Sequence, residues 1–197
     1  IESIFIPSHV ARICEYAFMF CEQLRRIDIP LNSKLQIIEK LAFYNSSIKS
    51  IFIPPQVTKI CNFAFSRCKQ LQRINFTSNS KLQIIEEGAF QKTSIKSIFI
   101  PPHVTKICKL AFSECEQLQR INFTSNSKLQ IIESYAFFGL SIRKIFIPPH
   151  VTKIGTKAFS CFKLQRIDIP SNSELQTIQK DAFAHSSINS IFIPPRV

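Results

Sequence analysis

Seven cysteines and four histidines are the residues of this chain best suited to metal ligation or nucleophilic chemistry, so their spacing bears first on what it does. The cysteines form two series, Cys14, Cys61, Cys108 and Cys21, Cys68, Cys115, Cys161, and no two stand in a C-x-x-C spacing. His9, His103 and His150 occupy one position of a repeating frame, one or two full periods apart, which predicts exposed turn residues too distant to share an ion. Nothing pairs a nucleophile with a base or sets two carboxylates together, and three glycines (Gly88, Gly139, Gly155) are too few for a phosphate cradle. The expectation is a chain that is not an enzyme, with no metal and no cofactor.

Recognition chemistry does recur. One column reads Phe5, Asp28, Phe52, Asn75, Phe99, Asn122, Phe146, Asp168, Phe192, so every second member is aromatic. Two positions earlier stand Ser3, Arg26, Ser50, Arg73, Ser97, Arg120, Lys144, Arg166 and Ser190, flanked by Arg25, Lys49, Lys96 and Arg143. This pattern predicts exposed phenyl rings with arginines diagonally within cation–π reach, and apolar anchors flanked by Arg are common energetic centres of interfaces. The ligand-binding candidates are Phe52, Phe99, Phe146, Arg26, Arg73, Arg120, Arg166, Lys49, Lys96 and Arg143. The bland alternative is that Phe and Arg merely pad the sheet against one another. A further column, Arg12, Lys59, Lys106 and Lys153, reads as a solubilising stripe, with attraction for glycan or lipid as the alternative. Sequons begin at Asn45, Asn75 and Asn122.

These columns exist only if the chain repeats, and it does. Ile48 to Val57 (IKSIFIPPQV) returns as Ile95 to Val104 (IKSIFIPPHV), a period of 47 residues that divides into two related coils. Coils start at Ile1, Leu24, Ile48, Leu71, Ile95, Leu118, Ile142 and Leu164, with a partial ninth over 188–197, and the whole is expected to be one domain cut from a longer array. Ile48, Ile51 and Ile53 alternate with Ser50 and Phe52, the period-two pattern of a strand, and Pro54-Pro55 ends it. Val57, Ile60, Ala64 and Phe65 follow at spacings of three and four, which predicts helical or 3₁₀ turns on the return path. Strands stacked at ~4.8 Å would form one parallel sheet. Phe18, Phe43, Phe65, Phe90, Phe112, Phe137, Phe159 and Phe183 recur once per coil and predict an internal spine. Cysteines of one series then sit two coils apart, about 10 Å, beyond the ~7 Å reach of a disulfide, which predicts buried free thiols; a Cys61–Cys68 pair stays open.

The run Ile98-Phe99-Ile100-Pro101-Pro102-His103-Val104-Thr105-Lys106-Ile107, followed by Ala111-Phe112, Cys115 and Leu118, resembles the coil of the BspA-like leucine-rich repeats over the whole chain. One departure is consistent: the glycine after the isoleucine survives only at Gly155 and is Cys14, Cys61 and Cys108 elsewhere. The resemblance implies an α/β repeat solenoid, a right-handed stack with a parallel sheet on the concave face and short helical or 3₁₀ turns on the convex side. It also implies surface proteins of bacteria and parasitic protozoa that bind host cells, matrix proteins or other microbes, without catalysis.

Charge adds a bias. Twenty-five Lys plus Arg against thirteen Asp plus Glu leave +12, favouring acidic partners such as sulfated polysaccharide, anionic lipid, nucleic acid or acidic protein. Nucleic acid is disfavoured because Asp28, Asn75, Asn122 and Asp168 dilute the field. No run reaches the roughly 18 apolar residues of a membrane span, and the first residues lack a signal peptide's pattern. The leading expectation is a non-catalytic binding module of a cell-surface or secreted adhesin, recognising protein or glycan on host or microbial surfaces. Its rivals are a scaffolding solenoid that self-associates end to end through uncapped edges, and a polyanion binder.

Overall fold

Each coil lays down a longer strand and then a two-residue strand, so sixteen strands wind through eight turns. The structure is a computed structural model that describes residues 1–193; of the expected ninth coil, 188–193 carry no strand and 194–197 lie outside the described residues. In chain order the strands are β1 (Ser3–Phe5), β2 (Arg12–Ile13), β3 (Arg26–Asp28), β4 (Ile37–Ile38), β5 (Ser50–Ile53), β6 (Lys59–Ile60), β7 (Arg73–Phe76) and β8 (Ile84–Ile85). Then follow β9 (Ser97–Ile100), β10 (Lys106–Ile107), β11 (Arg120–Phe123), β12 (Ile131–Ile132), β13 (Lys144–Phe146), β14 (Lys153–Ile154), β15 (Arg166–Asp168) and β16 (Thr177–Ile178).

The short strands make one continuous parallel sheet, in the order β16-β14-β12-β10-β8-β6-β4-β2. The longer strands do not. They ladder only in pairs, β1 with β3, β5 with β7, β9 with β11 and β13 with β15, so the single sheet expected along that face is four two-stranded ribbons. Between ribbons a lone bond remains at two junctions, from Lys49 N–H to the Arg25 carbonyl (3.1 Å) and from Lys96 N–H to the Gln72 carbonyl (3.4 Å). At the third junction, among the described residues, Arg143 N–H makes no corresponding bond to Gln119.

The helical or 3₁₀ return path is overturned: the described residues contain no helix, and the fold is a β-solenoid, not a helix-containing α/β solenoid. Hydrogen bonding explains the misreading. In an α-helix successive N–H groups bond four residues back along their own segment. Here alternate donors leave the coil: Phe63, Phe65 and Arg67 N–H bond Glu87, Ala89 and Gln91 carbonyls of the next coil, each at 2.8 Å. The donors between them, Ala64, Ser66 and Cys68, close local turns onto Cys61, Phe63 and Phe65 carbonyls at 3.1, 3.1 and 3.2 Å. The turns reverse at left-handed residues four apart, such as Phe63 (φ 56) and Arg67 (φ 60). Tandem turns of this pitch yield the apolar spacing of a helix without its axial bonds.

Between the faces lies the core. Rings from Phe18 through Phe43, Phe65, Phe90, Phe112, Phe137 and Phe159 to Phe183 stack in an unbroken column, with centroids 5.1–5.8 Å apart and planes within 16°. The six inner rings are fully buried, because each is covered by a ring from the coil on either side. No coil could bury its ring alone, so stacking and folding are one event. All seven cysteines are free, and only Cys68, Cys115 and Cys161 are buried; Cys14 is exposed. The buried thiols donate to the Phe43, Phe90 and Phe137 carbonyls of the preceding coil at 2.9, 3.0 and 3.1 Å.

Candidate binding surface

The ribbons carry the candidate residues on their outward side. Register sets Phe52 beside Asn75, Phe99 beside Asn122 and Phe146 beside Asp168, with Ser50, Ser97 and Lys144 opposite Arg73, Arg120 and Arg166. Arg26, Arg73, Arg120, Arg166, Lys49, Lys96 and Arg143 are all exposed. Of the phenylalanines, Phe146 is 43% exposed, whereas Phe52 and Phe99 are half-buried. Phe52 packs against the core edge, so each of these inner rings offers part of its surface to a partner. Among the described residues no cation–π pair forms; the Arg–Phe diagonal exists, but the guanidinium groups lie elsewhere.

Arginine pairing divides the face. At its ends Arg26 Nε sits 3.0 Å from Asp28 and Arg166 Nε bonds Asp168 along the same strand. Towards the middle the aspartates become Asn75 and Asn122, neutral amides that leave Arg73 and Arg120 without an acidic partner. Lys49, Lys96, Arg143 and Lys144 likewise make no ion pair among the described residues. The central coils therefore expose six uncompensated cations, and their field persists over roughly one Debye length, ~8 Å at physiological salt.

The unladdered junction between β11 and β13 opens as a groove of about 1050 Å³ lined by the cations Arg120, Arg143, Lys144 and Lys163, the acids Glu116 and Asp168, and Asn122 and Phe146 among others. Sequence reasoning missed Lys163 and the groove itself, since loss of a ladder bond between near-identical strands leaves no mark in residue type.

Three of the four cations in the Arg12, Lys59, Lys106 and Lys153 column are not free charge; Lys153, with Gln179 at the glutamate position, makes no ion pair among the described residues. On the short-strand sheet Arg12, Lys59 and Lys106 pair with Glu39, Glu86 and Glu133 of the next coil at 2.9, 2.8 and 2.7 Å. Each carboxylate uses its other oxygen to accept a backbone N–H, from Glu15, Asn62 and Lys109. The recurring Ile-Ile-Glu at Ile37, Ile84 and Ile131 is the sequence signal that marked these partners. His9, His103 and His150 are exposed, and His150 Nδ1 lies 2.9 Å from Glu174. Among the described residues no three His, Cys, Asp or Glu groups converge in a metal-binding cluster, and no helix is long and apolar enough to cross a membrane.

A family model for the BspA type leucine-rich repeat region matches in six copies over residues 1–108 and 83–197. The chain belongs to the BspA-type leucine-rich repeat family. Three solved structures share its fold. The pneumococcal vaccine antigen PcpA superposes with a TM-score of 0.68 at 25% identity over 93% of this chain, which spans 54% of that protein. A leucine-rich repeat protein from Bacteroides ovatus gives 0.62 at 22% identity, covering 98% of this chain and 67% of the other. A leucine rich cell surface protein from Faecalibacterium prausnitzii gives 0.52 at 24% identity, covering 92% and 70%. No curated protein matches the chain. The BspA-type glycine at Gly155 has a steric reason here: a Cβ would stand 2.4 Å from the Ser134 nitrogen.

Proposed function

We infer that this BspA-type solenoid is a non-catalytic recognition module of a cell-surface protein, and that it meets its partner on the ribbon face of the central coils. The observation that carries this reading is the segregation of charge. Three of the four column cations of the short-strand sheet, Arg12, Lys59 and Lys106, are neutralised by glutamates and Lys153 is not, whereas none of Lys49, Arg73, Lys96, Arg120, Arg143 and Lys144 on the ribbon face makes an ion pair among the described residues. Six like charges side by side destabilise a fold modestly through self-repulsion, and an acidic partner removes that cost. Surface location is supported by the description of the Faecalibacterium protein as a cell surface protein and of PcpA as a vaccine antigen. Host-cell, matrix and microbial surfaces are the partners this reading names.

Attachment of protein-coated beads to epithelial and bacterial cells tests it. The Arg73→Glu/Arg120→Glu variant should attach on the order of tenfold more weakly at unchanged melting temperature, because both side chains are exposed and make no internal contact that folding needs. Undiminished attachment by the folded variant would remove this face from the account.

A further inference from the structure

We propose that the ligand of the ribbon face is a linear anionic polysaccharide with a two-sugar repeat, held along coils three to seven by at least one cation on every coil. The proposal rests on the reading of that face as the contact surface. Its first support is translational symmetry. The outward residues Lys49, Ser50, Phe52, Gln72, Arg73 and Asn75 recur as Lys96, Ser97, Phe99, Gln119, Arg120 and Asn122 in the next two coils, with the same strand register. A surface that repeats along an axis is complementary to a ligand that repeats along an axis. A globular protein without repeats has no such translation.

Spacing is the second support. Cations alternate between two adjacent columns, Lys49, Arg73, Lys96, Arg120 and then Arg143 with Lys144, so that one falls on each of coils three to six and two on coil seven. The spine rings from Phe43 to Phe159 follow one another at 5.1–5.4 Å. That advance is close to the length of one pyranose ring in a 1→4-linked chain, so each two-coil unit accommodates one disaccharide carrying sulfate or carboxylate.

The third support is the company each cation keeps. Exposed amides of Gln72, Asn75, Gln119 and Asn122 offer donors and acceptors matched to sugar hydroxyls, and Ser50 and Ser97 add hydroxyls opposite the arginines. The half-buried Phe52 and Phe99 present part of a ring, enough to lie under the C–H face of a pyranose. A single-stranded nucleic acid draws its aromatic energy from full-face base stacking, which these rings do not offer. Guanidinium and ammonium groups of the groove between β11 and β13 would form charge-assisted hydrogen bonds to the anionic groups at the far end of the track.

Titration calorimetry of the intact chain with size-defined heparin fragments tests this. Affinity should climb with each added disaccharide and level off at about six sugars, when coils three to seven are filled at ~5 Å per rung. The Asn75→Ala/Asn122→Ala variant keeps every charge, and neither side-chain amide makes a hydrogen bond among the described residues. It should bind a heparin octasaccharide on the order of tenfold more weakly while its weaker binding of polyglutamate stays unchanged. Three outcomes would overturn the proposal: no heparin fragment binds, the amide variant binds heparin like the parent, or polyglutamate or a single-stranded oligonucleotide of matched charge binds as tightly as heparin. If heparin does not bind and the Arg73→Glu/Arg120→Glu variant still loses cell attachment, the ligand class is wrong and the contact face stands. If that variant attaches normally, the face itself is wrong.

Discussion

The Nζ of Lys106 and the Oε1 of Glu133 lie 2.7 Å apart across adjacent coils, and the second oxygen of Glu133 accepts the Lys109 N–H at 2.8 Å. One carboxylate thus ties a side chain and a backbone of the preceding coil to its own. Burial pushes the Glu133 carboxyl up, but hydrogen bonds from Lys106 and Lys109 and the charges of Lys106 and Lys153 outweigh it, and the net shift is downward. Glu133 in turn raises Lys106 through that hydrogen bond.

A carboxylate with a lowered folded-state value stabilises fully above its unfolded value and ceases to do so as pH falls through the lowered one. The raised lysine contributes fully below its ordinary value and loses its effect as pH rises through the raised one. Glu133→Gln should therefore cost ~0.5–1 kcal/mol at neutral pH and blunt the loss of stability in acid. Gln179, the natural residue at the equivalent position, still accepts the Thr156 N–H at 3.2 Å, so the amide retains half of the function. Urea titrations at neutral and acidic pH measure the difference; a gap between parent and variant that widens in acid would contradict the pairing.

Phe112 sits mid-spine, 5.3 Å from Phe90 and 5.4 Å from Phe137. Phe112→Ala opens a cavity that neighbouring rings cannot close without losing their own stacking, and should cost ~3–5 kcal/mol. Thermal unfolding reports it, and a loss below ~1 kcal/mol would mean that the ring is not held inside.

Two turn positions, one left-handed and one sterically closed, give a pair of opposite predictions. Arg67 is exposed at φ 60, so Arg67→Gly should be neutral to stabilising by up to ~1 kcal/mol, the relief of a strained backbone less the entropy of glycine. Gly155→Ala should be clearly destabilising, although Cys61 and Cys108 fill the same column, because its Cβ would meet the Ser134 nitrogen at 2.4 Å and the Glu133 carbonyl carbon at 2.5 Å. Melting temperatures that move in the reverse senses would refute the turn geometry.

The thiols should react in order of burial. Burial pushes Cys68 up to about 12, Cys115 to about 11 and Cys161 to about 12, so almost none of their thiolate exists at neutral pH. Cys14 is exposed and should be alkylated first, Cys61 and Cys108 more slowly, and the buried three only on unfolding. Their raised folded-state values stabilise fully below the ordinary thiol value, a contribution lost as pH rises through 11–12. Mass spectrometry after iodoacetamide treatment counts the labels; prompt labelling of Cys115 in the folded protein would be incompatible with its place under Phe90.

Sequence reading found what identical letters at identical intervals can announce. The phenylalanine spine follows from an Ala-Phe pair in every coil, and outward Arg73 and Arg120 follow from period-two alternation. The helix expectation failed because Val57, Ile60 and Ala64 carry spacing and nothing about where each N–H points. Left-handed turns stayed hidden because Tyr16, Leu41 and Phe63 hold them in place of glycine, stabilised by bonds to the next coil that only stacking supplies. Half-burial of Phe52 and Phe99 was equally unreadable, since it depends on how closely successive ribbons pack. The glutamate partners of Arg12, Lys59 and Lys106 went unread, although the Ile-Ile-Glu recurrence one coil away carried their signal.

Lysine-reactive footprinting tests the ribbon face most directly, with the protein labelled free and then bound to fixed epithelial cells. Lys49, Lys96 and Lys144 on the ribbons should lose reactivity on attachment, while Lys40 and Lys180, exposed just beyond the short strands, keep theirs. Protection of Lys40 and Lys180 with Lys49, Lys96 and Lys144 still freely labelled would contradict the account.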